Sequence, residues 1–324
     1  MQIYTIFFIF VGILNKTPKM PQNSFDIITV TGATATGKTK IAARLAYELE
    51  TEIISADSRQ VYKNMNIGTG KDIEEYSVLG KNIKFHLIDI VEAGEKYNVF
   101  RYQKDFLKAF DSIRKKNKIP VLCGGTGMYI ESVLNGYELI NVPVNEVLRA
   151  ELEKKTDSEL TDILQNNRSL HNISDTSSRK RLIRAVEIAL FYSENKTAVF
   201  DFPKLNPLII QVETEKEYRW QRIKNRLEER LKNGMIEEVK YLLESGVPED
   251  TLVYYGLEYK FVTMYLSGKL TFEQMQEQLY FAIRQFSKRQ LTWFRKMEAD
   301  GFNIFKLNGE LPVEENVKKI LEML

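Results

Sequence analysis

The sequence predicts an α/β protein: a parallel sheet with helices on both faces, plus a small inserted helical domain. Three observations carry this. Short β-branched runs alternate with helical stretches from Asp26 to Leu134, the pattern of a parallel sheet covered by helices. A glycine-rich turn joins the first such run to the first helix. Strands then stop between Asn145 and about Ser193 and resume at Leu208.

Each element follows from its residues. Asp26–Thr31 is a β-branched run ending at a glycine, as a buried strand does. Lys38–Glu50 places Ile41, Ala42, Leu45, Ala46 and Leu49 on one helical stripe. Glu52–Ser55, Ile83–Ile90 and Ile119–Cys123 are the next strands, with helices over Val99–Lys116 and Thr126–Leu134. Charged amphipathic helices fill the block after Asn145, and Asn141–Val144 and Phe202–Pro207 flank it as Pro-containing hinges. Leu208–Glu213 returns to the sheet. Helices broken at Gly234, Gly246 and Gly268 follow, then a long helix over Gln278–Lys296 and a last strand at Phe302–Leu307. The expected division is residues 20–140 and 206–324 as the core and 141–205 as the insertion.

The 324 residues fit about two domains, and 44% hydrophobic with 28% charged residues is ordinary for a globular chain. With 46 basic and 44 acidic residues the net charge is only +2, so any nucleic-acid contact must come from local clusters. One cysteine, Cys123, excludes an intramolecular disulfide and a cysteine-based zinc site; two histidines, His86 and His171, make a histidine-rich metal site equally unsuitable. A cytoplasmic, reduced setting is expected, with any metal a hard, oxygen-bound ion. The apolar run Ile3–Leu14 is too short to span a bilayer and lacks a basic region before it. Residues 1–19 are read as an upstream extension, with Met20 the start of the working chain and no membrane association.

Gly32-Ala33-Thr34-Ala35-Thr36-Gly37-Lys38-Thr39 matches G-x-x-x-x-G-K-[ST] between a predicted strand and a predicted helix. Its glycines let backbone N–H groups converge on phosphate oxygens at a helix N-terminus. Lys38 adds a full charge, and Thr39 offers its hydroxyl to Mg²⁺. The loop binds a di- or triphosphate and makes the fold P-loop NTPase-like; it does not choose the reaction. The guanine-reading pattern is absent, since Asn195-Lys196-Thr197-Ala198 lacks its aspartate. Asp89 is either a Walker-B carboxylate or a helix cap. Asp57, in Ser55–Tyr62 after the second strand, falls where strand C-termini form the binding crevice. There it is either a proton acceptor or a turn aspartate. Gly124-Gly125-Thr126-Gly127-Met128-Tyr129 opens into the same crevice; taken alone it is a tight turn requiring positive φ.

Together the phosphate loop, Asp57–Lys71, Phe85–Ile90 and Gly124–Tyr129 resemble, in order and spacing, the tRNA dimethylallyltransferase (isopentenyltransferase) family. Lys180–Ile188 and Lys288–Arg295 are similar to further family segments, and the resemblance runs from Ile27 to about Glu298. It implies transfer of a dimethylallyl group from dimethylallyl diphosphate to the exocyclic amine of the adenosine beside the tRNA anticodon. It further implies that the phosphate loop holds a leaving diphosphate, with Lys38 and Mg²⁺ on Thr39 neutralising it. Asp57 matches the general base and Thr126 a position at the reacting centre. Ser58, Arg59, Gln60, Arg149, Lys180, Arg181, Leu182, Ile183, Arg184 and Lys260 match tRNA-contact segments in the anticodon-arm complex of a monomeric enzyme.

The basic and aromatic stretch Tyr280–Met297 suits either unstacked bases or a helix with an aromatic core face. Two departures from the family pattern touch recognition. Glu258 stands where the family usually has glycine, a carboxylate expected to repel the substrate unless it points away, and the insertion is shorter between Leu164 and Asp175. An isopentenyltransferase acting on a free adenine nucleotide, a P-loop nucleotide or small-molecule kinase, and a nucleotide-dependent RNA-binding module remain the alternatives.

Overall fold

The computed structural model describes residues 25–137, 139, 141–167, 178–195 and 202–324. The stretch 1–19, His171, residues 196–198 and most of the segment between Leu164 and Asp175 lie outside these. In chain order the elements are β1 (Ile27–Gly32), α1 (Lys38–Glu48), β2 (Ile53–Ser55), a 3-10 turn at Ile73–Tyr76, β3 (Ser77–Val78), β4 (Lys81–Asn82) and β5 (Phe85–His86). Then come α2 (Val99–Arg114), β6 (Val121–Gly124), α3 (Gly127–Leu134), α4 (Glu146–Leu152), α5 (Asp157–Asn167), α6 (Arg179–Glu194) and β7 (Pro207–Glu213). The chain closes with α7 (Lys216–Lys232), α8 (Met235–Glu244), α9 (Glu249–Tyr255), α10 (Leu257–Leu266), α11 (Phe272–Ala299), β8 (Ile304–Asn308) and α12 (Val313–Leu321).

Six strands form one parallel sheet in the order β5-β2-β6-β1-β7-β8. Every residue of β1 is buried, as a strand covered on both faces requires. Ile28 and Val30 pack with Ile41, Ala42 and Leu45 of α1 and with Val317 and Ile320 of α12. On the other face α2 packs on β2, and α11 on β1 and α3. Because the strands are parallel, the loops that leave β1, β2 and β6 emerge at one edge, where open α/β sheets bind ligands.

The strand expected over Ile83–Ile90 shrinks to Phe85–His86. Leu87 (φ 64°) and Asp89 (φ 56°) take left-handed backbone, which no strand accommodates. The antiparallel pair β3–β4 turns at Leu79 and Gly80, both at positive φ. Asp89 does not cap a helix: α2 begins at Val99, capped by Asn98, whose side chain accepts from the Arg101 N–H. Thr271 and Gln274 form a capping box that starts α11 six residues before the expected Gln278.

The described residues divide into two compact units, one within 25–134 and 205–324 and the other within 135–204. The smaller unit is helical and has its own core: Leu152, Leu160 and Leu164 meet Leu182, Ile183, Val186 and Ala189.

Candidate active site

The phosphate loop is shaped by close backbone approach. A Cβ on Gly32 would stand 2.5 Å from the Val212 carbonyl oxygen, Gly37 starts α1 at φ 87°, and Thr36 Oγ1 donates to the Ala33 carbonyl at 3.0 Å. No side chain caps α1 and its first turn holds no acid, so the helix N-terminus keeps donors for an anion. Two half-buried cations meet there. Lys38 Nζ lies 3.4 Å from the Ala33 carbonyl oxygen, and Arg226 Nη2 donates to the Thr34 hydroxyl. Burial lowers the Lys38 pKa against the opposing pull of Cys123 and Asp57. Burial, then the neighbouring Arg230, pushes Arg226 down to about 10. Desolvated cations of this kind are stabilised by an anion.

Asp57 follows β2. Its Oδ1 accepts the Arg59 N–H at 2.8 Å and the Gln60 N–H at 3.4 Å, so the turn reading is correct for one oxygen. Oδ2 carries no hydrogen bond among the described residues. The Thr126 N–H donates to the Ala56 carbonyl at 3.1 Å, and Thr126 Oγ1 accepts the Ser58 N–H at 3.0 Å. Asp57 and Thr126 therefore belong to loops bonded to each other, as the sequence pattern implied. Gln60 bonds the Gly70 carbonyl at 2.9 Å, and the Arg59 guanidinium lies 5.6 Å from the Tyr254 ring centroid.

The turn that carries Thr126 differs from its expected form. Gly124, Gly125 and Gly127 are not among the positive-φ residues. They are glycines because a Cβ would strike the Ala56 carbonyl, the Gln290 amide and the Trp293 ring, respectively. Asp89 pairs with the buried Lys71, which also donates to the Tyr62 carbonyl; this withdraws it as a Walker-B carboxylate. Glu258 sits in the first turn of α10. Burial raises its pKa, while Arg230 and Arg226 favour its charged form. The expected repulsion is thus offset by two arginines. Lys260, two residues on, has its Nζ 5.2 Å from the Phe261 ring centroid.

Sequence reasoning missed Arg226 and Gln290. Gln290 Oε1 accepts the Thr34 N–H at 2.8 Å and its Nε2 donates to the Gly125 carbonyl at 2.9 Å. Arg226 had a signal: Arg219, Arg222, Arg226 and Arg230 recur at spacings of three and four, one face of a helix. Gln290 lies within Lys288–Arg295, a segment similar to the family's, but its residues were weighed for charge and aromatic character and the amide was passed over.

In the helical unit the tRNA-contact expectations divide. Lys180 and Arg181 are exposed. Leu182 and Ile183 are buried in the unit's core, so their side chains cannot touch RNA; the helical period turns them inward. Arg149 and Arg184 converge on buried Glu187, Arg149 Nη2 at 2.9 Å, and Arg184 also donates to the Val142 carbonyl at 2.8 Å. These two arginines brace the unit.

For Mg²⁺, no group of three or more acidic, histidine or cysteine side chains able to hold a metal occurs among the described residues. Thr39, in the first turn of α1, offers one hydroxyl. That donor set fits an ion completed by phosphate oxygens and water.

A glycine-rich anion cradle at the start of α1, and a carboxylate loop after β2 bonded to the loop after β6, define a phosphate-loop α/β enzyme fold. The chain matches the model of the IPP transferase family over residues 60–297 and that of isopentenyl transferase over residues 25–86. The chain belongs to the IPP transferase family. It is 54% identical over 300 residues to tRNA dimethylallyltransferase 2 of Phocaeicola vulgatus, covering 93% of this chain and 98% of that one. It is similar to the crystal structure of the tRNA isopentenylpyrophosphate transferase of Bacillus halodurans (TM-score 0.68, 29% identity, 93% of this chain and 95% of the other). A eukaryotic dimethylallyltransferase acting on tRNA shares the fold (TM-score 0.70, 23% identity, 88% and 74%). No helix among the described residues is long and apolar enough to cross a membrane.

Proposed function

We propose that this enzyme transfers a dimethylallyl group from dimethylallyl diphosphate to the exocyclic amine of the adenosine adjacent to the tRNA anticodon. The observation that supports the reading is that the Asp57 loop, tied to the Thr126 loop by the Ser58 N–H, lies close enough to Lys38 for the Asp57 charge to oppose the burial that lowers the Lys38 pKa, while Arg226 reaches Thr34 of the same phosphate loop. The amine nitrogen attacks the allylic carbon, the C–N bond forms, and the C–O bond to the diphosphate breaks. The amine proton passes to Asp57, and Lys38, Arg226 and the loop N–H groups of Ala35–Thr39 receive the charge on the departing oxygen. Mg²⁺ held at Thr39 would add further charge neutralisation there. An exocyclic amine is a weak nucleophile, so alignment supplies much of the rate.

The acceptor is read as the anticodon arm, met by Ser58, Arg59, Gln60 and Lys260 of the larger unit and by Lys180 and Arg181 of the smaller one, with the target adenosine extruded from its stack. We place the enzyme, as a monomer, in the cytoplasm, where this substrate resides. Incubation with radiolabelled dimethylallyl diphosphate and bulk tRNA, against AMP and against ATP alone, tests the reading. Label in tRNA supports it. Label in AMP only identifies a free-nucleotide enzyme, and phosphate transfer from ATP a kinase.

A further inference from the structure

We propose that Gln290 is a positioning residue that sets the spacing between the diphosphate cradle and the loop bearing the general base. The inference rests on the reading above. Gln290 is 8% exposed and lies on α11, a rigid helix of 28 residues. Its amide makes two bonds of opposite sense, accepting from Thr34 N–H at 2.8 Å and donating to the Gly125 carbonyl at 2.9 Å. The connection continues through covalent neighbours, because Thr126 follows Gly125 and its Oγ1 accepts the Ser58 N–H, next to Asp57. Where β1 and β6 end, with Thr31 Oγ1 donating to the Gly124 carbonyl at 3.0 Å, the Gln290 amide carries the connection on from the phosphate loop to the loop that is bonded to the Asp57 turn.

The surroundings are built for it. A Cβ on Gly125 would collide with Gln290 Nε2, and one on Gly127 with the Trp293 ring, one turn farther along α11. Neither glycine needs a left-handed backbone; both make room for this helix. Among side chains of this length only glutamine supplies a neutral donor and acceptor at once. Glutamate loses the donor and methionine loses both. In-line displacement is sensitive to misplacement of about 1 Å, which costs about 10²-fold. The amide thus acts on the chemical step, and substrate affinity depends on it far less.

The test uses the full chain with Gln290→Met and, separately, Gly125→Ala, which displaces the same amide while leaving residue 290 intact. Single-turnover transfer at saturating dimethylallyl diphosphate and tRNA is expected to fall about 10–100-fold in each. Affinity for dimethylallyl diphosphate without acceptor, and for tRNA, should each stay within about threefold. Combining Gln290→Met with Thr126→Ala should cost little more than the larger single change, since both cut one connection. An unchanged single-turnover rate in both variants would overturn the proposal, as would additive losses. A loss confined to tRNA affinity would overturn it too, by making Gln290 an RNA contact. Absence of transfer by the parent protein would instead defeat the transferase reading itself.

Discussion

Ser58 donates its backbone N–H to Oγ1 of Thr126 at 3.0 Å, and this bond ties the loop after β2 to the loop after β6. Asp57 is the residue next to Ser58, and its Oδ1 is already committed to the Arg59 and Gln60 N–H groups. One oxygen fixes the turn, and in the proposed mechanism the other takes the proton. That mechanism would separate fold from reaction at a single side chain.

Asp57→Asn should keep the turn, because an amide oxygen accepts the same backbone bonds, yet it cannot take a proton. Turnover is expected to drop by about 10²–10⁴, the range for a lost general base, with the melting temperature and dimethylallyl diphosphate affinity nearly unchanged. Asp57→Ala should match it in turnover and lose some stability as well. Steady-state kinetics and thermal denaturation of both variants check this; normal turnover in Asp57→Asn would remove the carboxylate from the mechanism.

Binding of dimethylallyl diphosphate should weaken on the alkaline side earlier than an ordinary lysine would allow. Burial lowers the Lys38 pKa from 10.5, so as pH rises through that lowered value the free protein loses a charge that the diphosphate favours. The sign follows from linkage: the complex binds the proton more tightly than the free site, so affinity falls as pH rises. Arg226, at about 10, adds a second limb. Lys38→Arg should remove the first limb and keep the second, and calorimetric titrations from neutral to alkaline pH distinguish them.

Glu52 anchors the end of the sheet away from the substrate loops and should govern acid stability. Burial raises its pKa, yet hydrogen bonds from Lys116, His86 and Lys84 outweigh this and hold it at about 2. A depressed carboxylate stabilises the fold fully above its unfolded value near 4.5 and loses that contribution as pH falls toward 2. Glu52→Gln should cost about 2–3 kcal/mol at neutral pH, and the gap between variant and parent should close as acid is added. A constant gap in denaturant melts across that window would contradict the assignment.

The sheet was legible from β-branched runs bounded by glycine, except at Ile83–Ile90, where hydrophobicity gave no sign of the left-handed Leu87 and Asp89. The phosphate loop, Asp57 and Thr126 were legible because each follows a strand, and parallel strands deliver their following loops to one edge. Arg226 and Gln290 reach Thr34 from 192 and 256 residues away, a separation that no local pattern encodes. Leu182 and Ile183 were misplaced by assigning a whole segment to RNA contact, when a helix shows only part of its circumference to a ligand.

Within the helical unit, Lys180 and Arg181 are the residues to neutralise for an RNA test. Their joint change to Ala should weaken tRNA binding at low salt. The slope of log affinity against log salt should fall by up to about 0.9 per lost phosphate contact, with melting temperature held. Arg184→Ala should behave differently, costing about 1–3 kcal/mol of stability because Glu187 stays buried with only Arg149 as a cationic partner. Salt-dependent binding curves and melts of the two variants separate recognition from bracing.

The central claim, that the phosphate loop releases a diphosphate as the Asp57 loop accepts a proton from an adenine amine, is tested most directly by stoichiometry. In a single turnover with labelled dimethylallyl diphosphate and tRNA, nucleoside digests should yield prenylated adenosine substituted at the exocyclic amine. One pyrophosphate should be released per group transferred, and both products should vanish together in Asp57→Asn. Pyrophosphate release without prenylated adenosine, or equal product formation in Asp57→Asn, would contradict the account.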